Sequence, residues 1–149
     1  MKELTQVAEI SVSYYPLQSQ HPMILSSLDA FVELFPFYPA HIIGLQEQFL
    51  IMYLSQSNRI LGVYTLSKGG ITGTVADVRL IFATALKTAA CSIIISHNHP
   101  SGNLKPSAAD LDVTKRIAEV GKLMDIKVKD HILVSPERKY FSFADEGIM

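Results

Sequence analysis

The stretch "CSIIISHNHPSGNLKPSAAD", residues 91–110, decides the fold of this chain. It opens on an apolar run, "CSIIIS", which is short and apolar on both faces, as is typical of a strand covered on both sides. A polar loop with two prolines and one glycine follows the second histidine and leads to Ser107 and Asp110. A serine followed three residues later by an acid is a common helix start. The stretch therefore predicts a buried strand, a sharp reversal and a helix.

The two histidines of this stretch have the spacing of a metal chelate. Residues two apart in an extended chain point to the same side, so His97 and His99 can direct both imidazoles to one point while Asn98 faces away. By itself this spacing is weak support, because a His-X-His in a polar loop is more often two solvated side chains. The pair gains weight only from what the rest of the stretch brings to it.

The helix start adds a carboxylate to the pair. Ser107 and Asp110 alone are fully explained as a helix cap, since Ser26 and Asp29 repeat the pattern with no metal chelate nearby. In combination, however, the strand end and the helix start bring two imidazoles and one carboxylate to the same neighbourhood. Three nitrogen or oxygen ligands, with a fourth position left to water, are typical of catalytic zinc. We therefore expect a Zn²⁺ site.

A catalytic zinc site also needs a proton acceptor, and the sequence offers few upstream. Between residues 34 and 96 there are two carboxylates, Glu47 and Asp77. Glu47 begins a predicted strand and can reach the site if that strand pairs near the metal strand. Asp77 stands at a helix start, where capping is a sufficient role. Glu47 is the candidate general base.

The rest of the chain predicts one mixed α/β domain. Expected strands and helices alternate in the order β, α, β, β, α, β, α, β, β. The expected strands are 7–14, 47–55, 60–67, 91–96, 126–134 and 139–143, and the expected helices are 26–35, 78–89 and a third that starts after residue 107. The residues "KGGITGT", 68–74, predict a mobile loop.

Composition limits the class of protein. A chain of 149 residues that is 48% hydrophobic can bury a core without disulfides. A net charge of −1 gives no argument for nucleic-acid binding. The single cysteine, Cys91, excludes an intrachain disulfide, and its apolar neighbours predict a buried thiol. No segment offers the roughly 20 apolar residues that span a bilayer, so we expect a cytoplasmic protein with no membrane partner.

These motifs resemble those of a known family. The residues "HNHPSGNLKPSAAD" match the His-X-His-Pro, Ser and Asp motif of JAMM (MPN+ or JAB) metalloenzymes, in the wording of the RadC-like branch. Further likeness to RadC domains lies in "EQFLIMYLSQSNRILG", in Arg79 before "AL", and in "DHILV" and "YFSFADEG", so that it covers about residues 45–149. The resemblance implies a JAB/MPN (cytidine-deaminase-like) architecture, with a single mixed β-sheet flanked by helices.

The resemblance also implies roles for individual residues. Zinc is held by the residues matching His97, His99 and Asp110, together with a water. Glu47 matches the general base, and Ser107 matches the residue that orients or stabilises the oxyanion. Where many relatives show Pro-Arg-Glu, this chain has Val78, Arg79 and Leu80, so no role is transferred there.

We expect residues 1–44 to add a strand and a short helix packed on the RadC-like domain of residues 45–149. Many RadC proteins carry a helix-hairpin-helix region ahead of this domain, and nothing in residues 1–44 predicts one. The leading hypothesis is a zinc-dependent hydrolase of peptidase or isopeptidase type that acts on a peptide or protein substrate. The alternatives are a RadC-type DNA repair or recombination accessory factor and a zinc-containing interaction module without catalysis. Lys122, Lys127 and Lys129 cluster locally, which is better explained as a solvated face than as a nucleic-acid site.

Asp130 and His131 raise a separate question. If the strand 126–134 alternates regularly, Asp130 falls on its core face, where an unpaired carboxylate is expensive. It then needs a partner or a bulge. The partner of Asp130 is either a zinc-bound histidine, which it supports through a hydrogen bond, or a backbone amide. His131, the next residue along the strand, is expected to point outward. His21 and His41, which stand beside prolines or in loops, are expected to be solvated.

Overall fold

The computed structural model describes residues 7–17, 21–69 and 75–149. The elements are α1 (Ser27–Leu34), β1 (Gln48–Leu54), β2 (Ile60–Lys68), α2 (Val78–Lys87), β3 (Ser92–Asn98), α3 (Ala108–Leu123), β4 (Lys127–Val134) and β5 (Tyr140–Ser142). Strand β3 lies in the middle of a five-stranded mixed sheet whose order is β2-β1-β3-β4-β5. The pairing of β3 with β4 is parallel and the other pairings are antiparallel. The predicted α/β class and flanked sheet are confirmed.

Helices cover both faces of this sheet, which is why β1 and β3 are buried along their whole length. Alternate residues of the two strands belong to two different cores. Phe49, Ile51, Ile93 and Ile95 pack with α2 and α3, and the residues between them pack with α1 on the other face: Leu50, Met52 and Ile94. His97 continues the α2 and α3 side, and Asn98 continues the α1 side. The strand therefore separates the functions of consecutive residues.

A β-bulge in β4 changes which residues face which core. Ile93 pairs with Val128, but Ile94 pairs with Asp130, so Lys129 is passed over. Val128 packs with α2 and α3, whereas Ile132 packs with α1. The bulge therefore turns His131 toward the α2 and α3 side, where it is fully buried. The expectation that His131 points outward is wrong.

Local sequence sets the helix starts as predicted. Ser26 caps α1 through the amide of Asp29, and Asp77 caps α2 through the amide of Arg79. Ser107 and Asp110 form a full capping box at the start of α3. Asp77 thus has the structural role that made it the weaker candidate for the base.

The expected strand over residues 7–14 is wrong. Residues 7–17 form no helix or strand, and Val7, Ile10 and Val12 are exposed. Alternation alone does not make a strand when no neighbouring strand pairs with it. Of this segment, Tyr14 contacts the sheet, by donating its hydroxyl to the carbonyl of Leu61 in β2.

Two further expectations concern loops and membranes. Most of the predicted mobile loop 68–74 lies outside the described residues, although Gly69 donates its amide to the carbonyl of Glu47. Among the residues that the structure describes, no helix is long and apolar enough to cross a bilayer.

Candidate metal centre

His97 and His99 project from the carboxyl end of β3. His97 is buried and stacks on Phe49 of β1, with ring centroids 5.6 Å apart. His99, just past the strand, donates its amide to the carbonyl of Val134 and is half-buried. The Nε2 atoms of the two rings lie 3.0 Å apart. The strand geometry therefore converges the two imidazoles as the spacing predicts.

Asp110 joins them from the first turn of α3. Its Oδ1 lies 3.0 Å from Nε2 of His97, and its Oδ2 lies 3.2 Å from Nε2 of His99. One ligand atom from each of the three residues lies within 4.8 Å of the others. Oδ2 also accepts the amide of Ser107 as part of the capping box, so the helix start fixes the carboxylate. The structure brings together all three predicted metal ligands.

The reversal between strand and helix begins with a tight turn. Gly102 donates to the carbonyl of His99 and has a φ of 83°, which disfavours any side chain. A Cβ at this position would also approach the Glu137 carboxylate to 3.0 Å. This part of the stretch 91–110 is therefore a turn, which brings Asp110 back to the two histidines.

The donor set fits a metal such as zinc. The outer nitrogen of each histidine is already engaged: His97 Nδ1 lies 2.8 Å from His131 Nε2, and His99 Nδ1 lies 2.6 Å from the carbonyl of Asn103. A carbonyl only accepts, so His99 carries its proton on Nδ1 and leaves a lone pair on Nε2. Two imidazoles whose Nδ1 atoms are hydrogen-bonded to other groups, together with one carboxylate, are a common zinc donor set.

Charges in the cluster favour this arrangement. Burial opposes ionisation of Asp110, but its contacts with the His97 and His99 rings outweigh burial and lower the pKa of the carboxyl. The hydrogen bond to Asp110 raises the pKa of His99, and the charge of Glu47 acts in the same direction. Asp110 is thus held as a carboxylate facing both imidazoles, and a negative charge in this position stabilises a bound cation.

Glu47 and Ser107 line the same cleft as His97 and Asp110, and the cleft has a volume of about 300 Å³. Glu47 lies immediately before β1, whose residue Phe49 pairs with His97. Apolar side chains complete the cleft wall, among them Val75 and Val113. The structure therefore places the predicted base and the predicted oxyanion donor beside the ligands.

Asn98, which sequence reasoning assigned only to the far side, holds the segment that carries Glu47. Its Oδ1 accepts the amide of Gln48 at 2.7 Å, and its Nδ2 donates to the carbonyls of Gln46 and Ile43 at 3.0 and 2.8 Å. The residues on either side of Glu47 are thus tied by one buried side chain to the strand that carries both histidines. A buried amide between two candidate ligands is the signal that points to it.

Asp130 takes the second of its two expected roles. Its carboxylate accepts the amides of His131 and Ala144 and the hydroxyl of Ser142. Burial raises the pKa of Asp130 while these hydrogen bonds oppose the rise. The supporting contact to a candidate ligand comes from His131 instead, and burial lowers the pKa of His131 so that it is neutral.

The other candidate groups lie apart from this cluster. Cys91 is exposed, so the expected buried thiol is wrong: it precedes β3 and sits in the turn after α2. His41 is exposed, and His21 contacts the carbonyl of Leu17. Neither histidine approaches the site.

A sheet with helices on both faces and a His-His-Asp cluster beside its central strands defines a JAB-type domain. The family model described as RadC-like JAB domain matches residues 26–148, and the chain belongs to this family. The match takes in α1, which lies ahead of the resemblance seen in the sequence.

Relatives of the family are similar over much of this chain. A UPF0758 protein of Flavobacterium johnsoniae is 46% identical over 127 residues, which are 84% of this chain and 53% of that protein. A UPF0758 protein of Porphyromonas gingivalis is 41% identical over 70% of this chain and 46% of its own length. The UPF0758 protein YfjY of Escherichia coli is 38% identical over 70% of this chain and 64% of its own length. The chain thus spans about half the length of the first two relatives.

Proposed function

We propose that this protein is a zinc-dependent hydrolase of peptidase or isopeptidase type that acts on a peptide or protein substrate. One observation carries the proposal: His97, His99 and Asp110 place a nitrogen or oxygen ligand within 4.8 Å of one another, in a cleft that Glu47 also lines. Bound zinc supplies polarisation of the scissile carbonyl and a lowered pKa for the attacking water.

The residues of the cleft have complementary roles in amide hydrolysis. Glu47 accepts a proton from the attacking water and delivers it to the leaving amine as the C–N bond breaks. The Ser107 hydroxyl donates to the carbonyl oxygen as negative charge develops there. Its oxygen accepts the amide of Asp110 in the helix cap, so its proton remains free for the substrate.

Glu47→Gln separates metal binding from chemistry. The amide keeps the size of the side chain but cannot accept the proton, so zinc stoichiometry should stay at the wild-type value while turnover falls by roughly 10²–10⁴-fold. Zinc content is measured on the purified protein. Turnover is measured on zinc-loaded protein with a peptide library and with substrates that carry an isopeptide-linked lysine.

Two results would contradict this proposal in different ways. Unimpaired hydrolysis by Glu47→Gln removes Glu47 from the mechanism. Wild-type protein that binds zinc but cleaves no peptide or isopeptide bond supports an interaction module instead. DNA binding has less support, because Lys129 is hydrogen-bonded to Asn58 and Lys122 and Lys127 share their surface with Asp125.

Ser107→Ala tests the oxyanion donor, with Ser26→Ala as its matched control. Both serines cap a helix through the amide three residues ahead, so each variant should lose about 1 kcal/mol of unfolding free energy. Only Ser107 lines the cleft, and its loss should lower kcat by roughly 10²-fold, a typical effect of removing one oxyanion donor. Equal kcat values for the two variants would assign Ser107 to capping alone.

A further inference from the structure

A buried chain of hydrogen bonds leads away from His97, on the side of its ring that faces away from the ligand cluster. Nδ1 of His97 lies 2.8 Å from Nε2 of His131. Nδ1 of His131 lies 2.6 Å from the hydroxyl of Thr114, and this hydroxyl donates to the carbonyl of Asp110 at 2.6 Å. The chain therefore starts at one candidate ligand and ends on the backbone of another.

The direction of every bond in this chain follows from its last member. A carbonyl only accepts, so the single hydroxyl proton of Thr114 is used on Asp110. The Thr114 oxygen must then accept from His131, which carries its proton on Nδ1. The other ring nitrogen of His131, Nε2, lies 2.8 Å from Nδ1 of His97 and accepts the proton of that nitrogen. His97 is left with a lone pair on Nε2, the nitrogen that faces His99 and Asp110.

Packing leaves this chain with little alternative. His131 is 0% exposed and Thr114 is 5% exposed, so their polar atoms have little contact with water. The His131 ring stacks on Phe143 with centroids 4.5 Å apart and also contacts Phe49 at a tilt. These aromatic contacts restrict the orientation of the ring.

We propose that Thr114 and His131 are positioning residues which fix His97 in the tautomer that binds the metal. This inference rests on the metal site of the proposed function and adds two residues outside the ligand motif. The Thr114 hydroxyl on α3 determines which ring nitrogen of His131 on β4 carries the proton. His131 determines in the same way which ring nitrogen of His97 on β3 carries its proton. Groups that support a ligand in this way typically change metal affinity by about 10–100-fold when they are removed.

The test combines ¹⁵N NMR of the histidine rings with zinc affinity measured by competition against a chromophoric chelator. In zinc-loaded wild-type protein, His131 should carry its proton on Nδ1. Thr114→Val keeps the shape of the side chain but strands that proton without an acceptor, so zinc affinity should fall by about 10–100-fold. Thr114→Ser restores the acceptor and should bind zinc nearly as tightly as the wild type.

Thr88→Val is the matched control, because the Thr88 hydroxyl donates to the carbonyl four residues earlier in α2, as the Thr114 hydroxyl does in α3. It should leave zinc affinity unchanged. A proton on Nε2 of His131 in the loaded protein overturns the inference, and this readout needs no variant. Equal zinc affinities for Thr114→Val and Thr114→Ser overturn it as well. Wild-type protein that binds no zinc overturns the proposed function itself, which is a separate outcome.

Discussion

Replacement of both His97 and His99 by alanine is expected to abolish stoichiometric zinc binding. The two rings supply two of the three converging ligand atoms, and Asp110 alone is a single carboxylate, which does not hold zinc selectively. The measurement is metal content after zinc addition and removal of excess by gel filtration. Wild-type protein should retain one zinc per chain under the same treatment.

The matched control removes two histidines outside the cluster. His21→Ala with His41→Ala deletes the same number of imidazoles from positions away from the site, so zinc binding should persist. Zinc should also stabilise this control against unfolding, by about 2.7 kcal/mol when free zinc is 100 times the dissociation constant. It should not stabilise the His97 and His99 variant. Zinc retained by that variant would defeat the site assignment.

Gly121→Ala is expected to destabilise the fold by about 1–2 kcal/mol. Gly121 lies in the last turn of α3, where a Cβ would come within 2.4 Å of the backbone carbonyl oxygen of Ile126. The new Cβ is attached directly to the backbone and the Ile126 oxygen belongs to it, so no side chain can rotate to relieve the contact. Helix α3 would therefore have to shift away from β4. Overpacking of this kind costs about 1–3 kcal/mol or more, and it outweighs the gain of up to about 1 kcal/mol from better helix propensity.

Gly62→Ala is the control for this prediction, because nothing lies within 4 Å of a Cβ at that position. It should be neutral or stabilise the protein by a few tenths of a kcal/mol, to about 1 kcal/mol at most. Urea unfolding followed by circular dichroism measures both variants. If Gly121→Ala unfolds at the same urea concentration as Gly62→Ala, the close approach of α3 to the start of β4 is not limiting.

The sequence predicted most of the fold because local signals and burial agreed. Two-sided burial of "CSIIIS", the serine caps and the hairpin all follow from short-range chemistry, and they appear where they were expected. The convergence of His97, His99 and Asp110 was accessible for the same reason, since all three lie close together in the chain. Glu47 required the additional prediction that β1 neighbours β3.

The misses depend on long-range structure. Residues 7–14 alternate like a strand, but a strand must pair with a neighbouring strand, and the alternation does not show whether one is present. The role of His131 depends on a bulge at Lys129, which reverses the faces of β4 and is invisible to a regular period of two. Thr114 reads as an ordinary helix residue until His131 is placed beside it.

The capping box of α3 shares its carboxylate with the ligand cluster, and this sharing links two events that are usually independent. Oδ2 of Asp110 accepts the amide of Ser107, while Oδ1 lies 3.0 Å from Nε2 of His97. Fraying of the first turn of α3 must therefore displace the Asp110 carboxylate from the histidines. Conversely, a cation bound to Asp110 must hold this first helical turn in place. The amide protons at the start of α3 should exchange with solvent deuterium more slowly when zinc is bound, so that the helix end itself reports occupancy.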